Sequence, residues 1–439
     1  MEDKSSQENQ PVNIDEPRQK ASVSDTSSIP NGGLKAWLQV AGTFFVFFNT
    51  WYETLPRSGK FADSSRGVLN TFGAYQTYYE TQELFSASSS TISWVGSVQS
   101  SLLLVLGLLT GPLYDAGYFH VLLPAGSFLI VFGQMMLSIS HEYYQVLLAQ
   151  GFCVGIGAGL IFIPGVAILS TYFDKKLAIA NGIAAAGSGV GAIIYPIVFH
   201  RLYERIGFGW TTRAIGLIIL VSLSPLLLFR VRVQQSGGRK LIDWPAFKEP
   251  AYVSFISGGI LVYITLNIPF YYISSFAISH GIAHGDLAFY LLPIITTGSV
   301  FGRIVPNLFA HKVGPFNIVF VCAVICGALM FALIDLSNLG GLIVVALLYG
   351  FFSGAFVSLP PTCFVKLSPN RSLIGTRMGM GYAVMMIGNL IGTPIAGAIL
   401  EDGGFNSVWI LAGVTSIAGG FGMFLSRNFQ GGWKILVLL

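Results

Sequence analysis

Arg303 is the residue of this sequence best placed to do chemistry. It ends the run Gly298-Ser299-Val300-Phe301-Gly302-Arg303, and its neighbours are apolar or small for many positions on both sides. It precedes His311 by two helical turns, which puts it roughly 12 Å inside a helix end at α-helical rise. An arginine at that depth of an apolar span costs a few kcal/mol unless it faces a cavity or a partner. A guanidinium matches a carboxylate through parallel hydrogen bonds. Arg303 is therefore a candidate for binding an anionic, carboxylate-bearing solute; a structural charge pair and a snorkelling side chain are the competing readings. Asn70, Tyr75, Gln76, Asn267, Tyr271 and Asn389 also stand mid-way along apolar runs. They are candidate substrate contacts, with interhelical hydrogen bonding as the competing role. A pocket walled by aromatics with few polar groups suits a small molecule.

No catalytic residue, metal site or cofactor is expected. His280 and His284 have one-turn spacing but flank a loop with too few further ligands for a metal. The four cysteines, Cys153, Cys322, Cys326 and Cys363, lie in apolar runs and form neither a zinc pattern nor a disulfide framework. The run Gly155-Ile156-Gly157-Ala158-Gly159 partly mimics a nucleotide loop, but no strand precedes it.

The elements that must position these residues follow from composition. Of 439 residues, 53% are apolar and 10% are charged. Mean hydropathy is +0.68. A soluble domain carries roughly 25% charged residues, so 24 basic and 20 acidic side chains are too few to cover a soluble surface of this size. A soluble enzyme, a nucleic-acid partner and a disordered scaffold are poor readings. The net charge of +4 suggests no polyanion partner.

Residues 1–33 are polar, mixed in charge and without an apolar run, and read as a disordered tail. From Leu34 onward, apolar runs recur at lengths that cross a bilayer core. They fall at 34–51 continuing over 67–79, then 91–114, 119–140, 144–172, 176–200, 209–232, 251–277, 286–310, 315–336, 340–366, 373–400 and 405–427. The expectation is an all-α membrane protein of twelve transmembrane helices. They form an N-terminal half over 34–232 and a C-terminal half over 250–428. A loop at 233–249 joins the halves, and a tail follows at 429–439. Two six-helix halves are the layout of a secondary transporter built from repeats.

Loop charge sets orientation. With the N-terminus in the cytosol, the cytosolic loops carry Lys175, Lys176, Arg230, Arg232, Arg239, Lys240, Lys248, Lys312, Lys366, Arg371 and Arg377. Setting 52–66 aside, the opposite loops carry Arg201 and Arg205, with Glu80, Glu83, Glu142, Asp286, Glu401 and Asp402. Both termini are expected in the cytosol, in a multi-pass protein of the plasma membrane.

Residues 52–66, YETLPRSGKFADSSR, interrupt the first helix with charges, a proline and a glycine. Such a segment cannot lie in lipid. Removing it joins Trp51 to Gly67 in one helix-like run. Either the chain bulges out of the membrane here, or the segment is aberrant, a retained short intron being the hypothesis. The codons of Trp51-Tyr52-Glu53 permit a splice-donor-like string, and those of Ala62-Asp63 permit a branch-point-like string.

Several motifs carry a resemblance. They are Asn31-Gly32-Gly33-Leu34-Lys35-Ala36-Trp37; Gly111-Pro112-Leu113-Tyr114-Asp115-Ala116-Gly117; Tyr172-Phe173-Asp174-Lys175-Lys176-Leu177-Ala178 with Asn181-Gly182; and Asp243-Trp244-Pro245-Ala246-Phe247-Lys248-Glu249-Pro250. Together the chain resembles the major facilitator superfamily, and within it the monocarboxylate-transporter-like branch in its fungal form. Asn31 stands where that branch usually has Asp. The resemblance implies alternating-access transport of small organic solutes, carboxylates foremost, with the helix-8 arginine as substrate ligand. Export of organic or secondary metabolites is the close alternative, and a transport-inactive membrane sensor is an alternative of another class. Ser299 and Asn70 replace the Asp and Lys of proton-coupled members, which puts proton coupling in doubt. The resemblance also implies a conformational latch at Gly111, Asp115 and Gly117. Read physically, the glycines bend a tight turn, while Asp115 caps the next helix or pairs with a basic group across the bundle. The glycines of helices 4, 5 and 11 read as close-packing positions or as smooth surfaces for rocking. The partners expected are a small organic substrate and the lipid bilayer, with a monomer as the default state.

Overall fold

The fold is seen in a computed structural model, which describes residues 31–50, 89–228, 242–283 and 286–431. The tail to residue 30, the suspected insertion 52–66, the helical continuation 67–79, and Asn70, Tyr75 and Gln76 lie outside the described residues. So do His284, most of the inter-half loop and the chain from 432.

The described residues form helices and their connections. Helix α1 is Leu34–Thr50. Eleven further spans are long and apolar enough to cross a membrane. They are α2 Trp94–Asp115, α3 Phe119–Leu137, α4 Tyr143–Tyr172, α5 Leu177–Tyr203, α6 Arg205–Leu226, α7 Pro250–Ser279, α8 Tyr290–Val313, α9 Pro315–Ala332, α10 Leu339–Leu367, α11 Arg371–Leu400 and α12 Asp402–Gly431. The spans read from hydropathy recur with ends moved by a few residues.

The two halves repeat one another. Gly117 closes the α2–α3 turn at φ +94°, and Gly314 closes the α8–α9 turn at φ +89°. Gly207 breaks α5 from α6 at φ +74°, and Gly404 breaks α11 from α12 at φ +68°. Both pairs share one sequence offset. A left-handed backbone at each turn requires glycine, so the same turn chemistry reverses the chain at matching points of each half.

Irregularities in the helices have identifiable causes. In α7 the helix is interrupted at Asn267, two residues before Pro269, which cannot donate to the ladder. The Tyr349 hydroxyl of α10 donates to the Leu266 carbonyl at 2.9 Å. In α4 a π-helical stretch covers Leu147–Val154.

Within the C-terminal half, α8 and α10 touch through backbone. A Cβ at Gly302 would meet the Phe351 carbonyl oxygen, and one at Gly350 would meet that of Ile295. Ser299, the position of the missing acid, has its own carbonyl against Gly354. Gly302→Ala should force these helices apart and cost about 1–3 kcal/mol, the usual range for overpacking. The expected outcome is a lower unfolding temperature of the detergent-solubilised protein and a larger drop for Gly302→Val.

Candidate functional site

The face bearing the α2–α3, α4–α5 and α10–α11 loops carries Lys175, Lys176, Lys366 and Arg371, and is called the basic face here. Near it the two halves meet along two glycine-lined contacts. A Cβ at Gly182 of α5 would strike the Arg303 carbonyl oxygen of α8. A Cβ at Gly379 of α11 would strike the Gly107 carbonyl oxygen of α2, and Gly111 stands against Gly375. Gly182 and Gly379 share the offset of the turn glycines, so the two contacts are repeats of one another. Higher up, Gly189 of α5 faces Val300 of α8.

Arg303 lies on this seam at roughly 15 Å from the end of α8 by helical rise. It is half-buried. Its guanidinium Nη1 donates to the Ala185 carbonyl at 2.7 Å and to the Ser188 hydroxyl, both on α5 of the other half. Its Nε is buried and has no hydrogen-bond partner among the described residues. No salt bridge to Arg303 is present among the described residues. The charge is thus held by neutral oxygens, with one N–H in reserve.

Below Arg303 a polar layer fills the seam. Asn307 Nδ2 donates to the Arg303 carbonyl and to the Ser358 hydroxyl, each at 2.7 Å. Asn181 Nδ2 donates to the Thr362 hydroxyl at 3.1 Å across the halves. The Oδ1 atoms of Asn181 and Asn307 are buried without partners among the described residues. Each such acceptor costs about 1–3 kcal/mol, which offsets part of the stability the close contact provides.

Asp115 closes the edge of the seam. It is 2% exposed. Its Oδ1 accepts from the Gly375 N–H at 3.1 Å, and its Oδ2 from the Thr376 N–H and hydroxyl at 2.7 and 2.8 Å. A carboxylate at a helix N-terminus meets unpaired N–H groups and the positive end of the dipole. The capping reading of Asp115 needs one correction: it caps α11 of the other half, not the next helix, through two backbone N–H groups and a hydroxyl. Gly111 also differs from expectation: it lies inside the helix and serves close approach, while Gly117 alone makes the turn.

Next to Thr376, Arg377 faces the other way. It donates to Asp243 at 2.7 Å, to Glu249 at 2.5 and 2.7 Å, and to the Leu367 carbonyl at 2.6 Å. Asp243 and Glu249 flank the short 3-10 helix Trp244–Lys248 of the inter-half loop. Arg377 had counted only as a loop charge. Its pairing depends on residues more than a hundred positions away, which no local signal reveals.

Other motif residues find each other. The Asn31 side-chain oxygen accepts from the Asp174 and Lys175 N–H groups at 2.8 and 2.9 Å. Trp37 meets Phe173 edge-on at 5.3 Å. Asn31 supplies the acceptor oxygen that an Asp would supply. Asn267 donates to Asn389 at 2.6 Å, so these two candidates meet each other between α7 and α11. Tyr271 is half-buried one turn further along α7.

Two aromatic residues absent from the sequence-derived candidates are linked electrostatically to Arg303, one directly and one through the other. Tyr263 of α7 lies within electrostatic reach of Arg303, and Tyr382 of α11 within reach of Tyr263. Tyr382 touches Phe162 of α4 in the other half, with ring centroids 6.1 Å apart. A tyrosine in an apolar helix reads as core, so composition alone does not single these out. By contrast, a cleft of about 410 Å³ between α3 and α6, lined by His120, Leu123, Pro124 and Leu220 among others, opens away from Arg303.

The family model described as Major Facilitator Superfamily matches residues 61–373. Among curated relatives, the MFS-type transporter dbaD of Emericella nidulans is 47% identical over 89% of this chain and 86% of its own length. The Aspyridones efflux protein apdF of the same organism is 37% identical over 93% and 82%. The Agnestins efflux protein AgnL12 of Paecilomyces divaricatus is 35% identical over 90% and 87%. Among solved structures, the human organic anion transporter MFSD10 (TETRAN) superposes with a TM-score of 0.65 at 14% identity, over 89% of this chain and 98% of that one. That likeness concerns the fold.

Removing the Asp115 carboxylate strips the α11 N-terminus of its charged acceptor, an interaction worth about 1.5–3 kcal/mol. Asp115→Ala should therefore open the seam more often. With Asn181→Cys as a reporter, the rate of maleimide labelling from the basic face is expected to rise about tenfold or more over the same reporter with Asp115 intact.

Proposed function

The chain belongs to the major facilitator superfamily, and on that footing we propose that it exports small organic metabolites, with Arg303 engaging an anionic group of the substrate. The coarser statement is secure: this is a multi-pass integral membrane transporter, and its relatives are transporters rather than enzymes. Export is favoured over uptake by two relatives whose names describe efflux, of aspyridones in one and of agnestins in the other.

The observation that carries the site is the unpartnered Arg303 Nε beside a seam between moving halves. An arginine satisfied on one side by neutral oxygens can accept an anion on the other without leaving another carboxylate unpaired. The narrower reading, a monocarboxylate-like branch with carboxylate substrates, rests on this residue and on the Asn31–Asp174 junction.

The basic face is assigned to the cytosol, by its lysines and arginines, with both termini on that side. The seam from Asp115 to Gly189 then forms the cytosolic gate in its closed state. Opening it parts α5 from α8 and α2 from α11, and so takes Ala185 and Ser188 away from Arg303. The guanidinium is then left to a substrate arriving from the cytosol. Closure returns the α5 oxygens, weakens the hold on the anion and favours release on the far side. This is alternating access by differential binding to two states. The working unit is a monomer in the plasma membrane.

Cells expressing the chain should release preloaded labelled organic acids faster than control cells. Arg303→Gln should remove that gain while surface abundance stays the same. Unchanged release by the variant would remove Arg303 from the site, and faster uptake without faster release would reverse the direction.

A further inference from the structure

Three polar groups from three helices converge at one depth. Arg303 on α8 offers a buried Nε–H with no partner among the described residues. Tyr263 on α7 and Tyr382 on α11 are each 3% exposed. Neither phenol hydroxyl hydrogen-bonds to another described residue, whereas the buried tyrosines Tyr195, Tyr252 and Tyr349 each donate at 2.5–2.9 Å. Buried tyrosine hydroxyls find a partner as a rule. These two do not, and neither oxygen is among the fully buried unpartnered atoms of the described residues, so each borders accessible space; with Tyr263 within electrostatic reach of Arg303, they mark a place where the partner comes from outside the chain.

The depth agrees by an independent route. Tyr382 stands in α11 at the offset that relates Gly182 to Gly379, and its counterpart in α5 is Ala185. The Ala185 carbonyl is the oxygen that holds Arg303. Tyr382 also spans the seam, since its ring meets Phe162 of the other half. Further aromatic rings, themselves fully buried, pack behind both tyrosines. Phe364 lies 5.4 Å from Tyr382, and Phe356 lies 5.8 Å from Tyr263, ring to ring.

We propose that Tyr263 and Tyr382 are specificity-determining residues, donating hydrogen bonds to a second oxygen of a planar aromatic anion whose charged group sits on Arg303. The ring faces accept an aromatic body, the guanidinium takes the anionic group, and the hydroxyls read an acceptor beside it. A short aliphatic acid offers the tyrosine rings no planar surface and the hydroxyls no second acceptor. A site that hydrogen-bonds a substrate oxygen discriminates strongly against analogues lacking it, because its own donors are then left unpaired. The proposal rests on the reading of Arg303 above, and its test separates the two.

The full chain in proteoliposomes is assayed by counterflow with labelled 2-methoxybenzoate, its isostere 2-ethylbenzoate, and lactate. The methoxy oxygen is the only acceptor that distinguishes the two aromatic acids. The wild-type protein is expected to prefer 2-methoxybenzoate over 2-ethylbenzoate by about tenfold or more, with lactate poorest. Tyr263→Phe and Tyr382→Phe keep ring and volume. Each should reduce the preference, and the double variant should bring it close to one. A double variant that keeps the wild-type preference overturns the proposal. So does a wild-type protein that takes none of the acids or does not distinguish the aromatic pair. Equal loss of all acids in the double variant marks a structural role and overturns it as well. Arg303→Gln is expected to lose all acids. If it does not, while the tyrosine variants still erase the preference, the arginine reading fails and the tyrosine reading stands.

Discussion

A guanidinium carried to the middle of an apolar helical bundle must meet oxygens there, and this need organises the centre of the molecule. The described residues place no carboxylate on Arg303. The charge is met by a main-chain carbonyl and a hydroxyl on a helix of the other half. That demands that α5 and α8 come within hydrogen-bonding distance at Ser188. Such an approach requires no side chain at Gly182 and Gly189, where a Cβ would collide with α8. The small residues of the seam are thus a condition for placing the arginine.

The glycines divide into two groups with different work. Gly187 and Gly191 stand against the Phe44 and Phe48 carbonyls of α1, and Gly388 and Gly392 against those of Ile260 and Ile264 of α7. These contacts lie within a half and make it rigid. Gly107, Gly111, Gly182, Gly375 and Gly379 lie between halves. There the surface is backbone on backbone, with few interlocked side chains, and two buried acceptors lack donors. A contact of that kind closes well and is not held too tightly to open. The α11 N-terminus links the gate to the inter-half loop, since Thr376 binds Asp115 and the next residue, Arg377, binds Asp243 and Glu249.

Much of this was legible in the chain. The spans were readable because a helix that crosses lipid must be apolar along its whole length. Arg303 was readable as a charge at depth, because a guanidinium in such a span must find a cavity, a partner or a route to the interface. Asp115 was readable as a buried cap but not in its partner, because the α11 N-terminus lies 260 positions away and offers backbone groups that any sequence possesses. Tyr263 and Tyr382 were not readable at all. A tyrosine on a buried helix face is usually packing, and only the missing hydrogen bonds set these two apart. Asn267 and Asn389 were readable as polar groups at depth, and the hydrogen bond between them is the interhelical role that competes with substrate contact.

Of the two groups that hold Arg303 from α5, one is the main-chain oxygen of Ala185. No codon change at 185 can delete that oxygen; only a shift of the helix can. The other, the Ser188 hydroxyl, is open to replacement. Evolution therefore has one adjustable knob on how firmly the closed state grips the arginine. Descendants of this sequence can retune the balance between their two states by drifting at a single position, while the anchoring contact stays out of reach of mutation.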